Sequence, residues 1–184
     1  MPETAIIEFY RERCADHSGR RLSAIHALRP EELEQSHDYI QWLFPLPEPS
    51  SANPYAPVLL ESDIVEFAQD EYLKARLLQS LAVMLHFYGL DLRDTADGPK
   101  ITGSEDFVAR SRVWLRPYNH NFLRISRILR SLALLGCNSH AMALFDCLKG
   151  IYRDHSGVIG DRTFRYWKSA VGRNEHADEN LRHP

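Results

Sequence analysis

Glu71-Tyr72-Leu73-Lys74-Ala75-Arg76-Leu77-Leu78-Gln79-Ser80-Leu81-Ala82-Val83-Met84-Leu85-His86-Phe87-Tyr88 is the stretch whose reading decides the fold. Its apolar positions Leu73, Leu77, Leu81, Met84, Leu85 and Tyr88 recur at the three- and four-residue spacing of one helical stripe. Asp70 precedes it as a capping carboxylate, and Gly89 follows as a helix stop. A helix with one apolar face needs partners to cover that face, so the neighbouring segments are read for the same period.

Upstream, residues 3–14 carry Ile6, Ile7, Phe9 and Tyr10 as a short amphipathic helix, and Asp16 to Gly19 reads as a turn. A second short helix covers Arg21 to Leu28. Pro30 opens Glu31-Glu32-Leu33-Glu34, where a missing N–H costs nothing and acids favour the positive helix end. His37 to Phe44 reads as helical and must end before Pro45. Prolines 45, 47, 49, 54 and 57 make a rigid connector on the domain surface, and Ser62 is expected to cap a helix over residues 63–69.

Downstream, residues 89–103 read as loop, with Gly98, Pro99 and Gly103. Helices are expected from Ser104 to about Arg116, from Asn119 to Leu135, over 139–153, and over 161–171 with Asp161 as cap and Gly172 as stop. The whole is expected to be all-α: an irregular single-domain bundle of seven or eight helices over residues 1–172, with a polar tail over 173–184.

With 44% apolar residues, the 184-residue chain can bury a core without metals or disulfides. The three cysteines, Cys14, Cys137 and Cys147, are odd in number and form no C-x-x-C, so they read as reduced thiols in a cytoplasmic setting. No basic start followed by an apolar run suggests export, and no window approaches the ~18 apolar residues of a membrane span.

The net charge of -3 conceals an asymmetry: 19 acidic and 9 basic residues up to residue 106, then six arginines and no acid over residues 107–145. His120, Arg124 and Arg127 fall on one helical stripe, with Arg130 beside it and Arg116 upstream. Such a stripe suits a carboxylate, a phosphate or an acidic protein partner. The competing reading is an internal salt-bridge network with Glu61, Asp63, Glu66, Asp70 and Glu71. A nucleic-acid partner is disfavoured, because one stripe in a weakly acidic chain is a small electrostatic footprint.

His37 and Gln41, four apart, read as sharing a helix face on the rim of a groove, or else as a polar pair bonded to the proline connector. Trp42 and Phe44 read as core. The expected ligand site combines His37, Gln41, His120, Asn121, Arg124 and Arg127 around a small anionic or peptide ligand. The alternatives are an enzyme using His37 or His120 as general base, and a scaffold with an aromatic patch around Tyr55. No H-E-x-x-H, G-x-S-x-G or glycine-rich phosphate loop occurs, so no metal, cofactor or catalytic residue is assigned.

His37-Asp38-Tyr39-Ile40-Gln41-Trp42-Leu43-Phe44-Pro45-Leu46 resembles the signature of the opioid growth factor receptor family. Met84 to Leu90, the run Asn119 to Leu132, and Phe9-Tyr10 with Gly19 resemble its other landmarks in the same order, so the resemblance spans residues 8–155. Ser50 stands where members tend to carry a glycine after the Glu-Pro of the connector. The resemblance implies a receptor-type protein that binds an enkephalin-like pentapeptide and restrains growth, associated in animals with the nucleus and its envelope.

Overall fold

In the computed structural model, which describes residues 3–172, the chain forms two compact units, Met1–Phe87 and Tyr88–Pro184. The expected tail over 173–184 lies outside the described residues. The all-α expectation is corrected: among the described residues ten helices accompany a two-stranded antiparallel sheet, where seven or eight helices and no strand were expected.

The first unit begins with α1 (Ala5–Tyr10), α2 (Leu22–His26), α3 (Pro30–Gln35) and α4 (Ile40–Leu43), followed by α5 (Glu61–Gln69) and α6 (Glu71–Tyr88), which runs one residue past its boundary. Tyr10 donates its hydroxyl to the Leu43 carbonyl and packs edge-on against Phe67 at 4.9 Å between ring centroids. The Tyr39 hydroxyl donates to the Leu33 carbonyl at 3.1 Å. The aromatic residues Phe9, Tyr10, Tyr39 and Phe44 are fully buried and anchor α1 and both ends of α4 to the core, while α2 buries Leu22 and Ile25 and α3 buries Leu33.

Capping explains the start of α6. Asp70 Oδ1 accepts the N–H groups of Tyr72 and Leu73, a function worth about 1 kcal/mol in comparable helices. The expected Ser62 cap is replaced. The helix starts at Glu61, and Asp63 Oδ2 reaches back to the Leu60 N–H at 2.9 Å. Asp63 also accepts from the Thr4 hydroxyl at 2.6 Å, while Thr4 caps α1 through the Ile7 N–H. One buried carboxylate thereby ties the starts of two helices together.

In the second unit, residues 89–103 are not loop. Strand β1 (Leu90–Thr95) pairs antiparallel with β2 (Gly98–Gly103), with Leu92 opposite Ile101 and Thr95 opposite Gly98. The turn falls at Ala96-Asp97, and Gly98 at φ +109 takes the conformation a side chain would resist. Then come α7 (Phe107–Trp114), α8 (Asn121–Leu134), α9 (Asn138–Ile159) and α10 (Asp161–Gly172). Helices α8, α9 and α10 pack mutually, and α9 also covers β2. α9 continues past the expected residue 153, with a kink at His155, until Gly160 at φ +76 ends it.

Two indoles lock this unit. Trp114 Nε1 donates to the Tyr88 carbonyl at 3.1 Å, and Trp167 Nε1 donates to the Phe122 carbonyl at 3.0 Å. Both rings are completely buried, so each supplies a large apolar area and satisfies its own polar atom. Gly89 sits at φ +75, and a Cβ there would lie 2.8 Å from the Phe107 Cα. Glycine is therefore required at that stop for two reasons, backbone conformation and close approach.

Candidate functional site

The six expected ligand residues divide between the two units: His37 and Gln41 in the first, His120, Asn121, Arg124 and Arg127 in the second. The helical spacing expected for His37 and Gln41 is corrected. His37 precedes α4 in irregular backbone, so the two residues are not one turn apart on a helix. Its Nδ1 lies 3.0 Å from the Gln35 carbonyl, which can only accept, so Nδ1 carries the proton. His37 is exposed. Gln41 is buried, its Nε2 at 3.5 Å from Ser50 Oγ and its Oε1 without a hydrogen-bond donor among the described residues.

The reason α4 is so short lies with Asp38. Its carboxylate accepts from Ser18 Oγ at 2.7 Å and from Arg20 Nη2 at 2.7 Å, and its backbone carbonyl accepts from Asn53 Nδ2 at 2.9 Å. These bonds hold the chain in a bend up to Tyr39, and Pro45 closes the other end. Burial works to raise the Asp38 pKa. The hydrogen bonds from Ser18 and Arg20 outweigh it and hold the carboxyl below the usual carboxylate range.

Sequence reading missed His17, which this network organises. Its ring lies between Trp42, at 6.5 Å, and Tyr55, at 5.7 Å, nearly parallel to both. Trp42 Nε1 donates to His17 Nδ1 at 3.2 Å, and His17 Nε2 faces Asp38 Oδ2 at 3.4 Å. The basic nitrogen of the imidazole is thus occupied by an indole N–H, a structural arrangement unsuited to taking a substrate proton. Tyr55 is 74% exposed, yet its inner face is held by that histidine. The scaffold patch expected there is one ring of a stack. Only the Asp-His-Ser-Gly turn composition at 16–19 hinted at it in the sequence.

At the start of α8 the polar residues form a chain. Asn119 Oδ1 accepts the Asn121 N–H at 2.9 Å and its Nδ2 at 3.0 Å, and Arg124 Nη1 donates to Asn121 Oδ1 at 3.2 Å. His120 Nε2 lies 3.4 Å from Asn121 Nδ2. Asn121 is fully buried and Arg124 is 5% exposed, whereas His120 and Arg127 are half-buried. The helical stripe His120, Arg124, Arg127 exists as expected, but its middle member is sealed from solvent.

Four of the five acids expected as internal partners for that stripe, Asp63, Glu66, Asp70 and Glu71, have engagements inside the first unit. Arg11 pairs with Glu66 at 2.8 Å and Asp70 at 2.9 Å, Asp63 bonds Thr4, and Lys74 pairs with Glu71 at 2.7 Å. Arg11 and Asp70 also line a shallow cavity of about 300 Å³ with Arg13 and Tyr72. Among the described residues no three His, Cys, Asp or Glu side chains gather as metal ligands would, and no helix is long and apolar enough to cross a membrane. Burial pushes the Cys147 thiol up to about 11, so that sulfur is a poor nucleophile at neutral pH.

The model of the opioid growth factor receptor conserved region matches residues 18–183. The chain belongs to the opioid growth factor receptor family. Similar relatives include the mouse opioid growth factor receptor, 38% identical over 112 residues, which are 61% of this chain and 17% of that protein. The mouse opioid growth factor receptor-like protein 1 is 42% identical over 115 residues, 59% of this chain and 23% of its own length. The human opioid growth factor receptor is 39% identical over 104 residues, 56% of this chain and 15% of that protein. This family member therefore spans less than a quarter of the length of these relatives. They are named as receptors, not enzymes. No solved structure matches the chain.

Proposed function

We propose that this chain is a receptor-type binding module for a short peptide with a free carboxylate. The reading rests on one observation: the Asn119–Asn121–Arg124 hydrogen-bond chain holds a guanidinium at the start of α8, in a stretch of six arginines without an acid. A carboxylate is the chemical complement of such an array. Half-buried His120 and Arg127 are the residues to touch it, and buried Asn121 and Arg124 are positioning residues behind them. Membership in a family whose relatives are named opioid growth factor receptors makes an enkephalin-type pentapeptide the first ligand to try.

Fluorescence anisotropy with a labelled enkephalin-type pentapeptide tests this, using free and amidated C-termini. The free carboxylate is expected to bind about tenfold tighter, a difference of about 1.4 kcal/mol. Arg127→Ala is expected to erase that difference. Equal binding of the two peptides would sink the carboxylate reading.

A separate binding point, within the first unit alone, is favoured by another observation. Gln41 Oε1 is a buried acceptor with no donor among the described residues, a state that costs about 1–3 kcal/mol. A ligand N–H would satisfy it, with exposed His37 nearby in the chain. Gln41→Leu keeps the shape and removes the acceptor. It should leave stability unchanged or raised while weakening a ligand that uses the amide; unchanged affinity removes Gln41 as a binding residue of the first unit.

A further inference from the structure

The corner between α7 and α8 presents what a protein-docking surface needs. Val108, Ala109, Arg112 and Val113 of α7 face solvent, with Val108 68% exposed. Arg116 and Pro117 follow, also exposed. Tyr118 is 102% exposed and sits at φ 60, in the left-handed region that a bulky aromatic residue rarely occupies. Leu123, 70% exposed, is the one exposed residue of α8. Val113, Tyr118 and Leu123, close together in the chain, thus stand in water where the backbone is strained to present the tyrosine.

The presentation is rigid. Asn119 Nδ2 donates to the Val113 carbonyl at 3.1 Å, the Asn119 N–H to the Arg116 carbonyl at 3.3 Å, and Arg116 Nε to the Arg112 carbonyl at 2.6 Å. These bonds fasten the turn to the end of α7, so a partner need not order it on binding. None of these residues belongs to the buried chain from Asn121 to Arg124 that the ligand reading uses, apart from the shared Asn119 side chain.

We propose that this corner docks an acidic, aromatic-bearing protein segment. Charge complementarity selects the partner: residues 107–145 hold no acid, and Arg112 and Arg116 precede the tyrosine in the chain. The acids Glu105 and Asp106 lie at the opposite end of α7, so they repel a negative segment there and set its direction. Tyrosine and arginine are the side chains that most often dominate protein interfaces. Two exposed arginines at this corner are too few for a nucleic acid, whose binding grows with the number of phosphates neutralised. α7, at eight residues, offers too narrow an apolar face to seat on a lipid surface.

The test uses the full chain against four immobilised probes: a random glutamate–tyrosine copolymer, polyglutamate, phosphatidylserine vesicles and single-stranded DNA. The copolymer is expected to bind best, and the double variant Arg112→Glu/Arg116→Glu to weaken it at least tenfold. Tyr118→Gly is the discriminating variant. It relieves the backbone strain, so the melting temperature should rise while copolymer binding falls about tenfold. Wild-type copolymer binding by Tyr118→Gly, or preference for vesicles or DNA over the copolymer, overturns the proposal. Pentapeptide affinity should be unchanged in Tyr118→Gly, which separates failure here from failure of the receptor reading.

Discussion

The two units solve the same problem, fixing small helices in place, with different chemistry. The first unit adds carboxylates to its buried aromatic rings. Asp63 joins the starts of α1 and α5, Asp16 and Asp38 share Arg20, Glu66 and Asp70 share Arg11, and Glu12 receives Arg76 and the Ser23 N–H. The second unit uses aromatic rings: Trp114 on Tyr88, Trp167 on Phe122, and Phe164 stacked on Tyr152 at 4.1 Å and on Phe145 at 5.7 Å. The contrast teaches that the acidic character of the front half is largely scaffolding. Its charges are spent on the unit's own arginines and N–H groups, so an acidic sequence does not imply an acidic docking surface.

If the second unit depends on its indoles, Trp167→Ala should have the largest effect. Removing a fully buried tryptophan empties its core site and takes one donor from the Phe122 carbonyl, which keeps the Ser126 hydroxyl, and a loss of about 3–5 kcal/mol in urea unfolding is expected. A loss under about 1 kcal/mol would show that α10 contributes little.

Next comes Gly89→Ala. The added Cβ meets the Phe107 backbone and the residue must hold φ +75, so a loss of about 2–3 kcal/mol is expected by thermal unfolding. The cost should exceed that of Gly157→Ala, whose Cβ would meet nothing within 4 Å.

The ionic scaffolding of the first unit should respond to a smaller change. Asp38→Asn removes the charge facing Arg20 and His17 while keeping much of the shape, and about 1–2 kcal/mol should be lost because the carboxylate is partly exposed. A salt titration sharpens the comparison. Added salt should narrow the gap between Asp38→Asn and wild type and leave the Trp167→Ala gap unchanged.

An effect of similar size is expected from a pH dependence at His26. Its Nε2 lies 2.8 Å from the fully buried Ser80 hydroxyl. Burial, with Arg76 adding repulsion against partial relief from Glu12, lowers its pKa from 6.5 to about 4. The unfolded chain therefore binds the proton first. Stability from the neutral ring is complete above pH 6.5 and is lost as pH falls toward about 4. After allowance for partial exposure the loss is about 1–2 kcal/mol. His26→Gln should flatten that part of the stability profile; an unchanged slope would assign it to the carboxylates.

Several of these elements were legible in advance because their signals are local. α6 was expected at 71–88 and is found as Glu71–Tyr88, since its stripe, its Asp70 cap and its Gly89 stop all lie within the segment. The hairpin was not legible. Its alternation rests on Leu90, Leu92 and Ile101, too few to stand out, and Pro99 and two glycines in β2 look like loop. The Asp97-Gly98 dipeptide was the available clue, although the turn itself falls at Ala96-Asp97 and Gly98 opens β2. His37 to Phe44 looked like two turns of helix, but Asp38 bonds to Ser18 and Arg20, twenty and eighteen residues away, and only one turn forms.

By itself the sequence determined the family, the predominance of helix, and the uneven charge along the chain, because motif order, period and composition are properties of neighbouring residues. Tertiary structure alone decided that Asn121 and Arg124 are buried while Tyr118 and Leu123 are exposed. Exposure depends on which segments cover a position. A charged arginine sealed in a helix and a tyrosine held in water at a strained φ both run against the preference of their own side chains.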